Sequence, residues 1–132
     1  MGKGTEREKD REKEKKREKE QIRDWLRDLR ESGKTIIVEG RKDKEALESL
    51  GVNRIMTLKK PLYAVAEDVS EKASECVILT DFDSKGREIY GRLKKHLERD
   101  GIRVDRHFRE FLQKNTRVSH IEGLDTYYRN SV

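Results

Sequence analysis

The sequence predicts an α/β fold: a four-stranded, mainly parallel sheet flanked by helices, preceded by a charged helical extension. Three observations predict it. Short β-branched runs alternate with amphipathic stretches across the body of the chain. Glycine or proline marks most changes of pattern, at Gly33, Gly51, Pro61 and Gly101. Apolar side chains other than Met1 all lie after residue 20.

The elements follow in order. Residues 1–20 hold 9 basic and 7 acidic side chains and form a low-complexity arm. The arm has nothing to bury, so on its own it is expected to be a mobile, intermittently helical segment. Residues 21–33 are an amphipathic helix, because Ile22, Trp25, Leu26 and Leu29 fall at i, i+3, i+4 and i+7. Trp25 is read as core, not as a stacking platform for bases. Residues 34–132 form the folded body. Thr35–Val38 (TIIV) is a first buried strand. Residues 43–50 are a helix with Ala46, Leu47 and Leu50 inward. Residues 54–58 are a second strand. Pro61 opens a second helix whose stripe is Leu62, Val65, Ala66, Val69 and Ala73. Residues 76–80 (CVILT) are a third strand, and residues 84–99 a long helix with Ile89, Tyr90, Leu93 and Leu97 inward. Ile102, Val104 and Phe108 alternate as a fourth strand. Beyond it, Phe111 and Leu112 are expected to pack, and Leu124, Tyr127 and Tyr128 to form a short closing turn.

Composition bounds the function. The chain has 132 residues, 45% of them charged, and a net charge of +5. That balance suits a polyanionic partner without demanding one. The longest apolar run, Leu62 to Ala66, is far short of the roughly 20 residues a bilayer needs. No secretory pattern follows the basic start, and the single Cys76 allows neither an internal disulfide nor a zinc knuckle. The expected compartment is the cytoplasm, with no membrane partner.

Chemistry in a parallel sheet belongs at the carboxyl ends of strands. Glu39-Gly40-Arg41-Lys42-Asp43 follows the first strand, and Asp81-Phe82-Asp83-Ser84-Lys85-Gly86 follows the third. If those strands are neighbours, Glu39, Asp81 and Asp83 converge. Converging carboxylates repel one another unless a cation sits between them. Oxygen donors alone suit Mg²⁺ or Mn²⁺, and such ions usually act on phosphate esters, in pairs where two oxygens must be held. A plainer reading stands beside this one. Asp83 or Ser84 can cap the next helix, and Asp43 the first. Gly40 and Gly86 suit either a plain turn or a close phosphate. Arg41, Lys42, Lys85 and Arg87 suit either phosphate contact or an ordinary helix surface. His96, His107 and His120 do not share metal-ligand spacing and are read as structural or exposed.

A hydrophobic strand ending in Glu-Gly, then two residues and an Asp (Glu39, Gly40, Asp43), followed by one ending in Asp-x-Asp-x-x-Gly (Asp81, Asp83, Gly86), resembles the Toprim domain. The resemblance covers residues 34–108. Within that family the chain looks like the small stand-alone, primase-like proteins. It is also similar to the nuclease that matures 5S ribosomal RNA, through the VEG-basic-x-Asp and TDxDxxG stretches and faintly through VSHIE at residues 118–122. The resemblance implies a compact Toprim-like domain and Mg²⁺-dependent phosphodiester chemistry on RNA or DNA, by nuclease action or nucleotidyl transfer. It implies two Mg²⁺ ions, replaceable by Mn²⁺. Glu39 would be a metal ligand and general acid or base, and Asp81 and Asp83 metal ligands. Asp43 would support the site by hydrogen bonds, and Gly40 and Gly86 would shape its turns. Arg41 stands where a lysine is usual in the nuclease branch, which keeps charge but changes geometry.

Other readings compete. The same fold and metal site could serve as a non-catalytic module that binds nucleic acid or a protein. A phosphohydrolase with Asp81 as nucleophile would need an acidic pair downstream, and none appears in the 49 residues after Asp83. A phospho-acceptor domain would need an acid pair after the first strand, where only Glu39 stands. Oligomeric state is not legible.

Overall fold

The computed structural model describes residues 4–130. Helix α1, Glu6–Ser32, begins at a capping box. Thr5 Oγ1 accepts the Glu8 amide and Glu8 Oε2 accepts the Thr5 amide, each at 3.2 Å. It ends at Gly33, whose φ of 66° is the left-handed conformation that glycine adopts freely. The first three residues of the arm lie outside the described residues. The rest of the arm continues, from Glu6 on, as the same helix as the amphipathic stretch. At its inner end Glu18 accepts a hydrogen bond from the Tyr127 hydroxyl, and the Lys19 ammonium lies 5.5 Å from the centre of the Tyr128 ring.

The sheet contains β1 (Thr35–Val38), β2 (Ile55–Thr57), β3 (Glu75–Ile78) and β4 (Arg103–Val104). Their spatial order is β2-β1-β3-β4 and every pairing is parallel. The register sets Ile36 beside both Ile55 and Val77. Helices α2 (Arg41–Ser49), α3 (Leu62–Lys72) and α4 (Ser84–Arg99) connect successive strands. After β4 come α5 (His107–Asn115), a 3-10 turn (Ile121–Gly123) and α6 (Leu124–Asn130).

Alternation along the strands builds two cores. Ile36, Val38, Val77 and Leu79 pack against Ile22, Trp25, Leu26 and Leu29 of α1, Leu47 of α2, Phe108 and Leu112 of α5 and Leu124 of α6. Ile37, Cys76 and Ile78 pack on the other face against Val65, Ala66 and Val69 of α3 and Leu93 and Leu97 of α4. The result is three layers, α/β/α. Trp25 is core, as its place in the stripe suggests. It is buried, donates its indole N–H to the Phe108 carbonyl at 2.9 Å and stacks on Phe111 with centroids 6.4 Å apart. Cys76 is fully buried, and desolvation pushes its thiol up to about 12.

Three expectations are corrected. The fourth strand stops at Val104, and Phe108 and His107 belong to α5. The Asp105 carboxylate accepts the His107 amide at 3.1 Å, which satisfies a free N–H at the helix start and turns the chain out of the sheet. The closing segment is more than a short turn: it runs through the 3-10 turn and α6, with Ile121 and Leu124 in the core. Tyr63, which the sequence also places in an apolar stripe, is 57% exposed.

Candidate metal centre

The connections leave β1 and β3 for opposite faces of the sheet. Helix α2 packs with the α1 layer and α4 with the α3 layer. That divergence opens a crevice at the carboxyl ends of these two neighbouring strands, the place where α/β sheets take ligands. Glu39 directly follows β1, and Asp81 lies three residues past the end of β3.

Glu39 and Asp81 meet there. Glu39 Oε2 accepts the Asp81 amide at 2.8 Å, joining residues 42 apart in sequence. Asp81 Oδ1 accepts the Ile121 amide at 2.8 Å. Asp83 caps α4, its Oδ1 accepting the Gly86 amide at 2.7 Å. Its Oδ2 lies 3.5 Å from His120 Nε2. The capping role and a place beside the other acids are therefore compatible, because each uses a different oxygen. One donor atom each from Asp81, Asp83 and His120 lies within 4.8 Å of the other two. Glu39 stands outside that triangle, turned onto the Asp81 amide.

Asp43 is buried, and its Oδ2 accepts the Gly40 amide at 2.9 Å across the first turn of α2. Burial pushes the Asp43 carboxyl above its usual range, the Gly40 and Glu122 amides pull it back, and the Asp81 and Glu122 charges push it further up. Glu39 is also raised, first by desolvation and then by the charges of Asp81 and Asp43, against the Asp81 amide. Burial is the first cause of both shifts and the neighbouring acids add to it, a combination that a bound cation would offset. Carboxylate oxygens with one imidazole nitrogen fit a hard or borderline divalent ion.

The two glycines differ. A Cβ on Gly86 would stand 2.1 Å from the Asp81 carbonyl oxygen, so only glycine lets α4 start against that strand end. The buried Thr80 hydroxyl fixes the same contact by donating to the Gly86 carbonyl at 2.8 Å. A Cβ on Gly40 would meet nothing closer than Asp43 Oδ2 at 3.9 Å, an ordinary contact. The basic residues lie on the first turns of α2 and α4. Lys42, Lys85 and Arg87 are exposed, and Arg41 is exposed and paired with Glu45 at 3.1 Å.

Two features carry no strong sequence signal. Arg109 of α5 is buried, donates to the Asp81 carbonyl at 2.9 Å and lies between the Phe82 and Tyr90 rings, 4.4 and 4.6 Å from their centres. Desolvation lowers its pKa, opposed by the Asp81 and Glu39 charges. Nothing in its spacing separates it from a surface arginine. The second is the segment before the 3-10 turn. Phe82 donates its amide to the Ser119 carbonyl at 2.9 Å, and Ile121 reaches Asp81, so residues 119–121 are strapped across the Asp81–Asp83 loop. In the sequence, the VSHIE likeness is its one trace.

Comparison with known proteins agrees with this architecture. A family model for the Toprim domain matches residues 34–113. A UPF0292 protein of Methanocaldococcus jannaschii is 37% identical over 99 residues, covering 71% of this chain and 77% of its own length. One from Pyrococcus horikoshii is 40% identical over 102 residues, covering 76% of each. A solved structure from Aquifex aeolicus superposes with a TM-score of 0.70 at 31% identity, covering 75% of this chain and 94% of that one. With acids ending two adjacent parallel strands at the crevice where their connections part, and with relatives matching over most of the chain, this protein belongs to the Toprim domain family, alongside the archaeal UPF0292 proteins.

Proposed function

We propose that this protein performs metal-dependent phosphodiester chemistry on nucleic acid, cleavage or nucleotidyl transfer, in the crevice between β1 and β3. Membership of the Toprim family implies a metal-dependent function on nucleic acid, enzymatic or binding, and Toprim domains generally bind divalent metals such as Mg²⁺. One observation carries the finer reading: the Glu39 carboxylate just past β1 is bonded to the Asp81 amide beyond β3, which gathers the acids of both motifs in one crevice.

In this reading Glu39, Asp81 and Asp83 would hold Mg²⁺, as two ions, with Mn²⁺ able to substitute. Such ions, when bound, supply positive charge to phosphate oxygens and acidify water. Glu39 keeps Oε1 clear of the Asp81 amide, and that atom takes or returns the proton of the transfer step. Asp43 holds the Glu39-Gly40 turn through the Gly40 amide. Gly86 lets α4 approach Asp81. Arg41, Lys42, Lys85 and Arg87 contact phosphates at the rim, which orients the strand without reading its sequence.

Calorimetry with Mg²⁺ and Mn²⁺ on the wild type and on Asp81→Asn, with cleavage and transfer assays on a structured RNA and a single-stranded DNA, tests this. The expected result is a loss of about tenfold or more in metal affinity together with loss of turnover in the variant. Metal binding by the wild type with no turnover on either substrate would replace the enzyme by a non-catalytic binding module. No metal binding, even with nucleic acid present, would remove the site.

A further inference from the structure

We propose that His120 is a ligand of the same metal centre, brought to it by the strap at residues 119–121. The ligation would add a nitrogen donor to a site whose motif residues offer only oxygen. The inference rests on the metal-site reading given above and names a residue outside both sequence motifs and outside the span of the family match, which ends at residue 113.

Four observations carry it. His120 Nε2 faces Asp83 Oδ2 at 3.5 Å, and its donor atom shares a 4.8 Å triangle with Asp81 and Asp83. This oxygen is the one that capping leaves available, since Asp83 Oδ1 is taken by the Gly86 amide. The other ring nitrogen, Nδ1, is 3.0 Å from the Ser119 hydroxyl. A histidine that ligates through one nitrogen is normally oriented by a hydrogen bond at the other. Finally, the backbone on both sides of His120 is pinned to the acid loop, by the Phe82 amide on the Ser119 carbonyl and by the Ile121 amide on Asp81 Oδ1. The backbone of this half-exposed histidine is thus held in place relative to the loop that bears the acids.

A nitrogen donor favours first-row transition ions over Mg²⁺, which prefers oxygen and water. His120 would therefore set the ion preference of the centre, while the carboxylates set its total charge.

The experiment uses Mn²⁺ as probe on the full chain, wild type and His120→Gln, with circular dichroism as the folding control. Pulsed electron paramagnetic resonance of bound Mn²⁺ reads nitrogen coupling directly, and competition with Mg²⁺ gives the ratio of affinities. Expected are a ¹⁴N coupling in the wild type, its loss in His120→Gln, and a fall of about tenfold in Mn²⁺ affinity that far exceeds the change for Mg²⁺. Bound Mn²⁺ without nitrogen coupling in the wild type, or coupling that survives in His120→Gln, would overturn the role of His120 and leave the carboxylate site standing. Absence of Mn²⁺ binding in the wild type would overturn both.

Discussion

At the scale of single residues, the two motif glycines look equivalent in sequence, and the structure separates them. Gly86 is required by the fold, because a Cβ would lie 2.1 Å from a backbone oxygen of Asp81. Backbone cannot yield as a flexible side chain can, so either α4 or the Asp81 loop must move. Gly86→Ala is expected to cost about 2 kcal/mol of stability in urea unfolding. Gly40→Ala should stay within about 0.5 kcal/mol of wild type, since its Cβ has room and its φ of −145° is open to any residue. If Gly40→Ala keeps its stability but loses nucleic-acid affinity, the glycine serves the approach of a ligand. An unchanged unfolding midpoint for Gly86→Ala would mean that α4 does not start against Asp81 in solution. The same scale shows why Arg109 escapes sequence reading. Its work is to hold a carbonyl and to fill the space between Phe82 and Tyr90, and neither partner can be inferred from its position in α5.

At the scale of elements, what was legible is what hydrophobic periodicity encodes. The α1 stripe and the buried runs of β1 and β3 pack as their patterns imply, because a stripe that is apolar on one face has to bury that face. The acids were legible for a related reason: they end strands whose identity was clear, and parallel order brings those ends together. The failures have a different cause. Val104 and Phe108 fall in register for a strand, but a side chain between them, Asp105, captures the His107 amide and starts a helix. The strap at residues 119–121 binds the acid loop mostly through backbone atoms, which leave no trace in residue type. Helix α1 joins a legible half to an ambiguous one and can be tested as two. Trp25→Ala removes a buried ring and its hydrogen bond to Phe108, and should cost about 3–5 kcal/mol. Deleting residues 1–16, which include exposed charges throughout Glu6–Lys16, should cost less than about 0.5 kcal/mol. Salt-dependent binding to a nucleic-acid probe, compared before and after that deletion, decides whether the arm is also a contact. A drop in affinity and in salt slope supports it, and identical curves remove it.

At the scale of the whole molecule, charge is arranged so that the crevice and the sheet respond differently to their acids. In the crevice, carboxyls crowd one another. Away from it, Lys34 before β1 bridges Glu75 at the start of β3, at 3.0 Å, and Asp105 beyond β4. That network joins three strands of the sheet through one ammonium. The hydrogen bond from Lys34 holds the Glu75 carboxyl below its usual range. Burial pushes Asp105 up, but hydrogen bonds from Lys34 and His107 outweigh it and leave that carboxyl low. Lys34 is raised in turn, chiefly by its bond to Asp105. Depressed acids stabilise the fold above their unfolded values, near 4, and that contribution is lost as pH falls through the lower folded values. A raised lysine stabilises below its unfolded value, about 10.4, and loses that contribution as pH climbs through the higher folded one. The network is therefore fully effective between about pH 5 and 10 and fades on both sides. All three side chains are partly solvated, so screening holds its worth to about 1 kcal/mol. Lys34→Met should lower stability by about that amount at pH 7, measured by urea unfolding, and the gap to wild type should close below about pH 3. A gap that stays constant from pH 7 to pH 3 would mean that Lys34 contributes through the packing of its methylenes and not through its charge.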